Sequence, residues 1–241
     1  MTSSLKIDFV SDVSCPWCAI GLKSLEQALE RVAGDISAEV HFQPFELNPQ
    51  MVPEGQEITE HITEKYGITP EQAHANRENI RLRGEELGFT FSKADQPGGG
   101  RSRIYNTFDA HRLLHWAGLE GVDKQRALKE GLLKAYFTDG QSPASHEVLA
   151  RVAASAGLDA ARAREILASN LYAEEVRERE SYYLPQGIHS VPAVIINERH
   201  LMSGGQPPAV LEQALRQVDA AGQLGVRGAE RGVDCRHWIG V

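Results

Sequence analysis

Asp12-Val13-Ser14-Cys15-Pro16-Trp17-Cys18 stands where a strand pattern gives way to a helix pattern, and its reading decides the fold. Upstream, Leu5, Ile7 and Phe9 alternate with Lys6 and Asp8, the period-2 signature of a half-buried strand. Downstream, Leu22, Leu25, Leu29 and Val32 recur at helical spacing, and Gly34 falls where a C-cap glycine belongs. Pro16 suits the first turn of that helix, which has no use for its missing N–H. Cys15 is therefore expected at the helix N-terminus, where free N–H groups and the positive end of the helix dipole favour thiolate over thiol. That makes Cys15 the candidate nucleophile. Cys18, one turn later and more deeply set, is placed to attack a mixed disulfide on Cys15 and release its partner.

A C-x-x-C pair also serves in zinc sites, which need further ligands. The remaining cysteine, Cys235, with His237 two residues on, would complete a Cys₃His set. A strand-to-helix junction with an intervening proline favours redox chemistry over such a knuckle. A purely structural disulfide is disfavoured too, because cysteines this close in sequence close almost no loop.

With 241 residues, 41% of them hydrophobic, the chain is long enough for a sizeable core. A formal net charge of -8 disfavours nucleic acid and anionic membranes, both of which are bound through clustered Lys and Arg. No basic stretch followed by an apolar one opens the chain, and no apolar run approaches the ~20 residues that cross a bilayer. A cytoplasmic location is expected. Three cysteines suit a reducing compartment, where a C-x-x-C is more often transient and catalytic than structural.

Ala38, Val40 and Phe42 alternate with polar residues toward Pro44, so a second strand follows the first helix. A helix between two strands lets them lie parallel, with a right-handed crossover. From Glu46 to about Pro185 the pattern is helical. Ile58, Ile62 and Tyr66 share a face, and Thr69-Pro70-Glu71-Gln72 reads as a capping box for a helix reaching Gly88. Gln96-Pro97-Gly98-Gly99-Gly100 reads as a loop, without the lysine or spacing of a phosphate-binding one. Further helices are expected over 106–117, 122–137, 146–156, 160–168 and 171–183, the first capped by Asn106. Val194-Ile195-Ile196 then reads as a strand buried on both faces, and Asn197-Glu198-Arg199-His200 turns it into a hairpin with Leu201-Met202-Ser203. Pro207 and Pro208 open a last helix, with Val210, Leu211, Ala214, Leu215 and Val218 inward. The order is α/β, with the β-α-β and β-β-α halves of a thioredoxin-like fold separated by a helical insertion. The expected division is 1–48, 49–185, 186–224 and an irregular tail over 225–241.

Cys15-Pro16-Trp17-Cys18, Ser190-Val191-Pro192 and the helical block between them resemble the DsbA-like thioredoxin superfamily, in particular its cytosolic FrnE-type oxidoreductases. The likeness spans roughly residues 5 to 220. It extends to Pro44-Phe45-Glu46-Leu47-Asn48-Pro49, Asn106-Thr107, Ala110-His111-Arg112-Leu113, His115-Trp116-Ala117, Ala135-Tyr136-Phe137 and Ser203-Gly204 with Gln206-Pro207-Pro208. Ala19 departs from it, standing where an aromatic is common, and Cys235 lacks the tail partner some relatives have. The resemblance implies thiol-disulfide exchange on protein or glutathione-like substrates, with no cofactor and no metal. Cys15 would attack, Cys18 resolve, Pro16 and Trp17 tune reactivity, and Asp12 take a proton from Cys18. Pro192 would be a cis-proline facing the pair, presenting Val191 to a substrate strand. Acidic relatives with such an insertion often form homodimers, so a homodimer is open here.

His111 and His115 lie one helical turn apart, a spacing zinc uses, but with no third ligand they read as core or interface residues. The competing function is a glutathione-dependent isomerase or transferase, of the 2-hydroxychromene-2-carboxylate isomerase or kappa-class type. Those enzymes typically keep a hydroxyl residue where Cys15 stands and need no second thiol. A non-catalytic binding module with an inert cysteine pair is the third reading. Since Cys235 lies in a glycine-rich tail, Cys235→Ser should leave turnover nearly unchanged. A stoichiometric zinc signal lost in that variant would instead revive the Cys₃His set.

Overall fold

The computed structural model describes residues 3–52, 54–92 and 103–225. Its main sheet has the order β2-β1-β5-β6. Strand β1 (Ser3–Ser11) runs into α1 (Pro16–Val32) and returns through β2 (Ile36–Pro44), parallel to β1 with Ile7 opposite Val40. Strand β5 (Ala193–Ile196) lies antiparallel on the other side of β1, with Phe9 opposite Val194, and β6 (His200–Ser203) pairs antiparallel with β5. Helix α9 (Pro208–Gly225) closes the second half. This is the expected thioredoxin-like arrangement. Between β2 and β5 lie helices α2 (Ile58–Tyr66), α3 (Pro70–Glu86), α4 (Phe108–Glu120), α5 (Val122–Phe137), α6 (His146–Ser155), α7 (Ala160–Leu167) and α8 (Ala173–Tyr183).

The sheet carries apolar side chains on both faces. Leu5, Ile7, Phe9, Val194 and Ile196 pack against Leu22, Leu25, Leu211 and Leu215 of α1 and α9. On the other face Val10, Ala193 and Ile195 meet Tyr183 and Ile188. A separate cluster built by α4 to α7 takes in Val13 from the β1–α1 junction. The capping box at Thr69 forms, its side chain accepting from Gln72 N at 3.2 Å while Gln72 Oε1 accepts from Thr69 N at 2.9 Å. Asn197 and Glu198 both have positive φ, as a tight turn with the twist of a hairpin requires.

Several expectations need correction. Asp8, read as the outward residue of β1, is buried, its Oδ1 accepting from Gln43 Nε2 at 2.5 Å. Helix α1 ends at Ala33 in ordinary helical geometry, so Gly34 is not a left-handed cap. Asn106 precedes the cap residue Thr107, although its Oδ1 does accept from Phe108 N at 2.9 Å. Val210 is exposed while Leu211, Leu215 and Val218 point inward. Two short strands, β3 (Gln56–Glu57) and β4 (Arg103–Ile104), pair within the helical segment, too short to leave a period-2 signal. The glycine-rich stretch 96–100 and the tail with Cys235 and His237 lie outside the described residues.

A hydrogen-bonded contact from α5 ties the insertion to the sheet edge. Strand β2 is an edge strand, and edge N–H and C=O groups need a partner. Gln125 of α5 supplies it: its Oε1 accepts from Phe42 N at 3.0 Å, and its Nε2 donates to Phe42 O and Leu114 O, each at 3.1 Å. Gln125→Leu keeps the volume but orphans these buried groups. It should lower unfolding stability by about 2–3 kcal/mol in urea titrations, with Cys15 chemistry retained in the folded fraction.

Candidate active site

Cys15 is the N-cap of α1, with φ −89° and ψ 115°, and Pro16 fills the first helical position. Its carbonyl accepts from Cys18 N at 3.0 Å and Ala19 N at 3.4 Å, which starts the helix at the motif. Its Sγ donates to Val191 O at 3.6 Å. Cys15 is 4% exposed and Cys18 fully buried; neither is in a disulfide. Burial pushes the Cys18 thiol well up, and the neighbouring Cys15 adds to this; Lys129 and the Asp12 backbone pull it down. Trp17 projects outward, 43% exposed.

The wall opposite the pair is Val191-Pro192, joined by a cis peptide bond. Pro192 is buried, and its carbonyl accepts from Gly204 N at 2.8 Å, which links this turn to the end of β6. Two glycines let these segments approach α1. A Cβ on Gly21 would lie 2.9 Å from Pro192 Cγ, and one on Gly205 3.2 Å from Trp17 Cε3. Neither glycine stands out in the sequence, because a close approach across the fold leaves no local pattern.

Beneath the motif lies Asp12, wholly buried. Its Oδ1 accepts from Ser14 N at 3.1 Å, and its Oδ2 from Ser14 Oγ at 3.0 Å and Leu47 N at 2.7 Å. His111 Nε2 stands 3.5 Å from Oδ1. Burial would push this carboxyl up, but His111 and the N–H groups of Leu47 and Ser14 outweigh it and hold it at about 2. Helical spacing offered His111 no partner, since Asp12 lies far from it along the chain. His115, its neighbour one turn on, instead faces the Tyr172 ring at 5.3 Å. The next residue of its motif, Arg112, is buried and donates to Leu171 O at 2.9 Å and Ser169 O at 2.5 Å, holding the α7–α8 connection.

At the rim, Lys65 Nζ donates to Leu47 O at 2.8 Å and Asn48 Oδ1 at 2.7 Å. Burial lowers this ammonium's pKa, while the negative charges of Asp12 and Cys15 act the other way. Half-exposed Tyr66 stands beside it, its hydroxyl pushed up by partial desolvation and by Cys15. Among the described residues no group of three or more His, Cys, Asp or Glu is arranged to hold a metal ion. No helix among them is long and apolar enough to cross a membrane.

A carboxyl depressed from 3.8 to about 2 stabilises the folded state above pH 4, and that contribution is lost as pH falls through the folded value. Asp12→Asn should therefore cost about 2 kcal/mol at pH 7. The gap to the parent should close between pH 4 and pH 2 in denaturant titrations run across that range.

The fold is shared with known proteins. A probable DsbA oxidoreductase from Streptomyces coelicolor, SCO1869, superposes with a TM-score of 0.82 at 32% identity, covering 96% of this chain and 94% of that one. The uncharacterised protein YwbO of Bacillus subtilis (strain 168) is 24% identical over 216 residues, 89% of this chain and 96% of its own length. A 2-hydroxychromene-2-carboxylate isomerase shares the fold with a TM-score of 0.66 at 15% identity, over 93% of this chain and 100% of that one. Residues 6–216 match the DSBA-like thioredoxin domain, and the chain belongs to that family.

Proposed function

We propose that the chain is a cytoplasmic thiol-disulfide oxidoreductase of the FrnE type, with Cys15 as the attacking thiolate and Cys18 as the resolving thiol. The observation that carries this reading is Cys15 at the N-cap of α1 with Cys18 one turn below and fully buried. In the reducing direction, Cys15 Sγ attacks a substrate disulfide, forms Cys15–S–S–R and expels the other substrate sulfur as a thiolate. Cys18 then attacks Cys15 Sγ, closes the Cys15–Cys18 bond and releases the substrate sulfur, which takes up the Cys18 proton and leaves as RSH. Two electrons pass to the substrate. The reverse sequence oxidises a dithiol, and the reduction potential sets the direction.

Val191 supports the substrate role given to it, because its main chain already bonds Cys15 Sγ and an extended peptide can pair with such backbone. Trp17 and Tyr66 add exposed aromatic surface for a protein substrate or a glutathione-like one. Pro16 and Trp17 tune the pair through the turn they build. In this reading Asp12 is an anchor and fixed charge: with a pKa of about 2 it accepts no proton from Cys18 near neutrality. A glutathione-dependent isomerase would have no use for Cys18 as a second, resolving thiol.

Cys18→Ser should accumulate mixed disulfides with thiol partners on non-reducing gels, and Cys15→Ser none. Both variants should lose insulin reduction in dithiothreitol at least tenfold. Equal trapping by the two would refute the order of attack, and insulin turnover left intact in both would remove the oxidoreductase reading.

A further inference from the structure

Lys129, on the inner face of α5, is 0% exposed, and among the described residues its Nζ has no hydrogen-bond partner. An ammonium in that position gives up its hydration for nothing local, so a compensating charge is expected nearby. The neighbouring inward positions of α5 locate it. Gln125, one turn before, bonds the Phe42 backbone of β2. Leu132 and Leu133, one turn after, enter the clusters that contain Val13 and Ala19 respectively. Lys129 thus stands on the inner face of α5, between the level of the β2 edge and the level whose cluster takes in Val13 of the β1–α1 junction. The ionisable groups acting on it are Cys18 and Cys15 from α1 and Asp12 from the junction, all opposing the loss of its charge that burial favours. Helix α4 contributes His111, which sits against Asp12.

We propose that the Lys129 ammonium is the buried counter-charge that allows Cys18 to become a thiolate in its dry site, making Lys129 a positioning residue for the resolving step. This rests on the redox reading of the pair but adds a residue from the inserted helices to it. During resolution the Cys18 proton leaves with the departing substrate thiolate as RSH. Cys18 Sγ bonds Cys15 Sγ, the Cys15–substrate bond breaks, and Lys129 keeps its proton throughout. Its charge lowers the cost of the negative sulfur while the bond exchange takes place.

The test uses full-length chain carrying Cys15→Ala and Cys235→Ser, so that Cys18 is the sole thiol, titrated by thiolate absorbance and by iodoacetamide rate against pH. No exchange reaction is involved, so a failed insulin assay would remove the catalytic reading without touching this measurement. Lys129→Met should shift the Cys18 titration up by at least one pH unit, a tenfold loss of thiolate at a given pH. Lys129→Arg should restore most of the shift. An unchanged titration in Lys129→Met would overturn the proposal, as would an equal shift in Lys129→Arg, which would show a packing effect. Should Lys129→Met not fold, the Lys129 side-chain titration is followed by NMR in the parent before and after Cys18 is capped with methyl methanethiosulfonate. Its pKa should fall on capping; no change would overturn the proposal.

Discussion

The Asp12 carboxylate holds together three segments far apart in the chain. It binds Ser14 inside the motif, Leu47 beyond the end of β2, and His111 on α4. A buried charge is tolerable only when nearly all its lone pairs are met; here three hydrogen bonds from Ser14 and Leu47 meet them, with His111 Nε2 standing 3.5 Å off. The consequence is geometric. The turn that carries Cys15 cannot shift without unpairing a desolvated carboxylate, so the sulfur's position against Val191 O is fixed from below as well as by the helix start.

The same site collects polar groups that a core normally excludes. Asp12, Ser14, His111 and Lys129 are all buried within reach of the cysteine pair. Pairing between unlike charges offsets part of the desolvation, but Lys129 has only long-range compensation. Such an arrangement stabilises the fold poorly compared with an apolar one of the same shape. Its persistence is understandable where the charges act on a group that changes charge in use, which Cys18 does in the proposed cycle.

The fold was largely legible in the sequence because its signals are local. The alternation in β1 and β2, the β-branched run of β5 and the capping box at Thr69 each report a few neighbouring residues, and each element appears in place. The motif placed Cys15 at its helix start for the same reason. What remained hidden depends on partners distant in sequence. Asp8 looked solvent-facing until Gln43 was beside it, and His111 looked idle until Asp12 was. Gly21 and Gly205 matter only because Pro192 and Trp17 come to lie against them.

Helix α5 shows why such residues escape a pattern search. An amphipathic reading assigns Gln125 and Lys129 to the solvent side because they are polar, yet both lie on the face that points inward. At helical spacing, Gln125 meets the β2 edge, Lys129 carries a buried charge on which Cys18, Asp12 and Cys15 act, Leu132 and Leu133 enter two different apolar clusters, and Tyr136 donates to the Arg103 carbonyl at 2.9 Å. One helix therefore touches the sheet edge, two of the apolar clusters and the β3–β4 pair. An insertion joined to the thioredoxin-like halves in this way is not an appendage to the redox site. Any displacement of α5 would move Lys129 and the hydrogen bonds on Phe42 together, because Lys129 and Gln125 stand on the same helix.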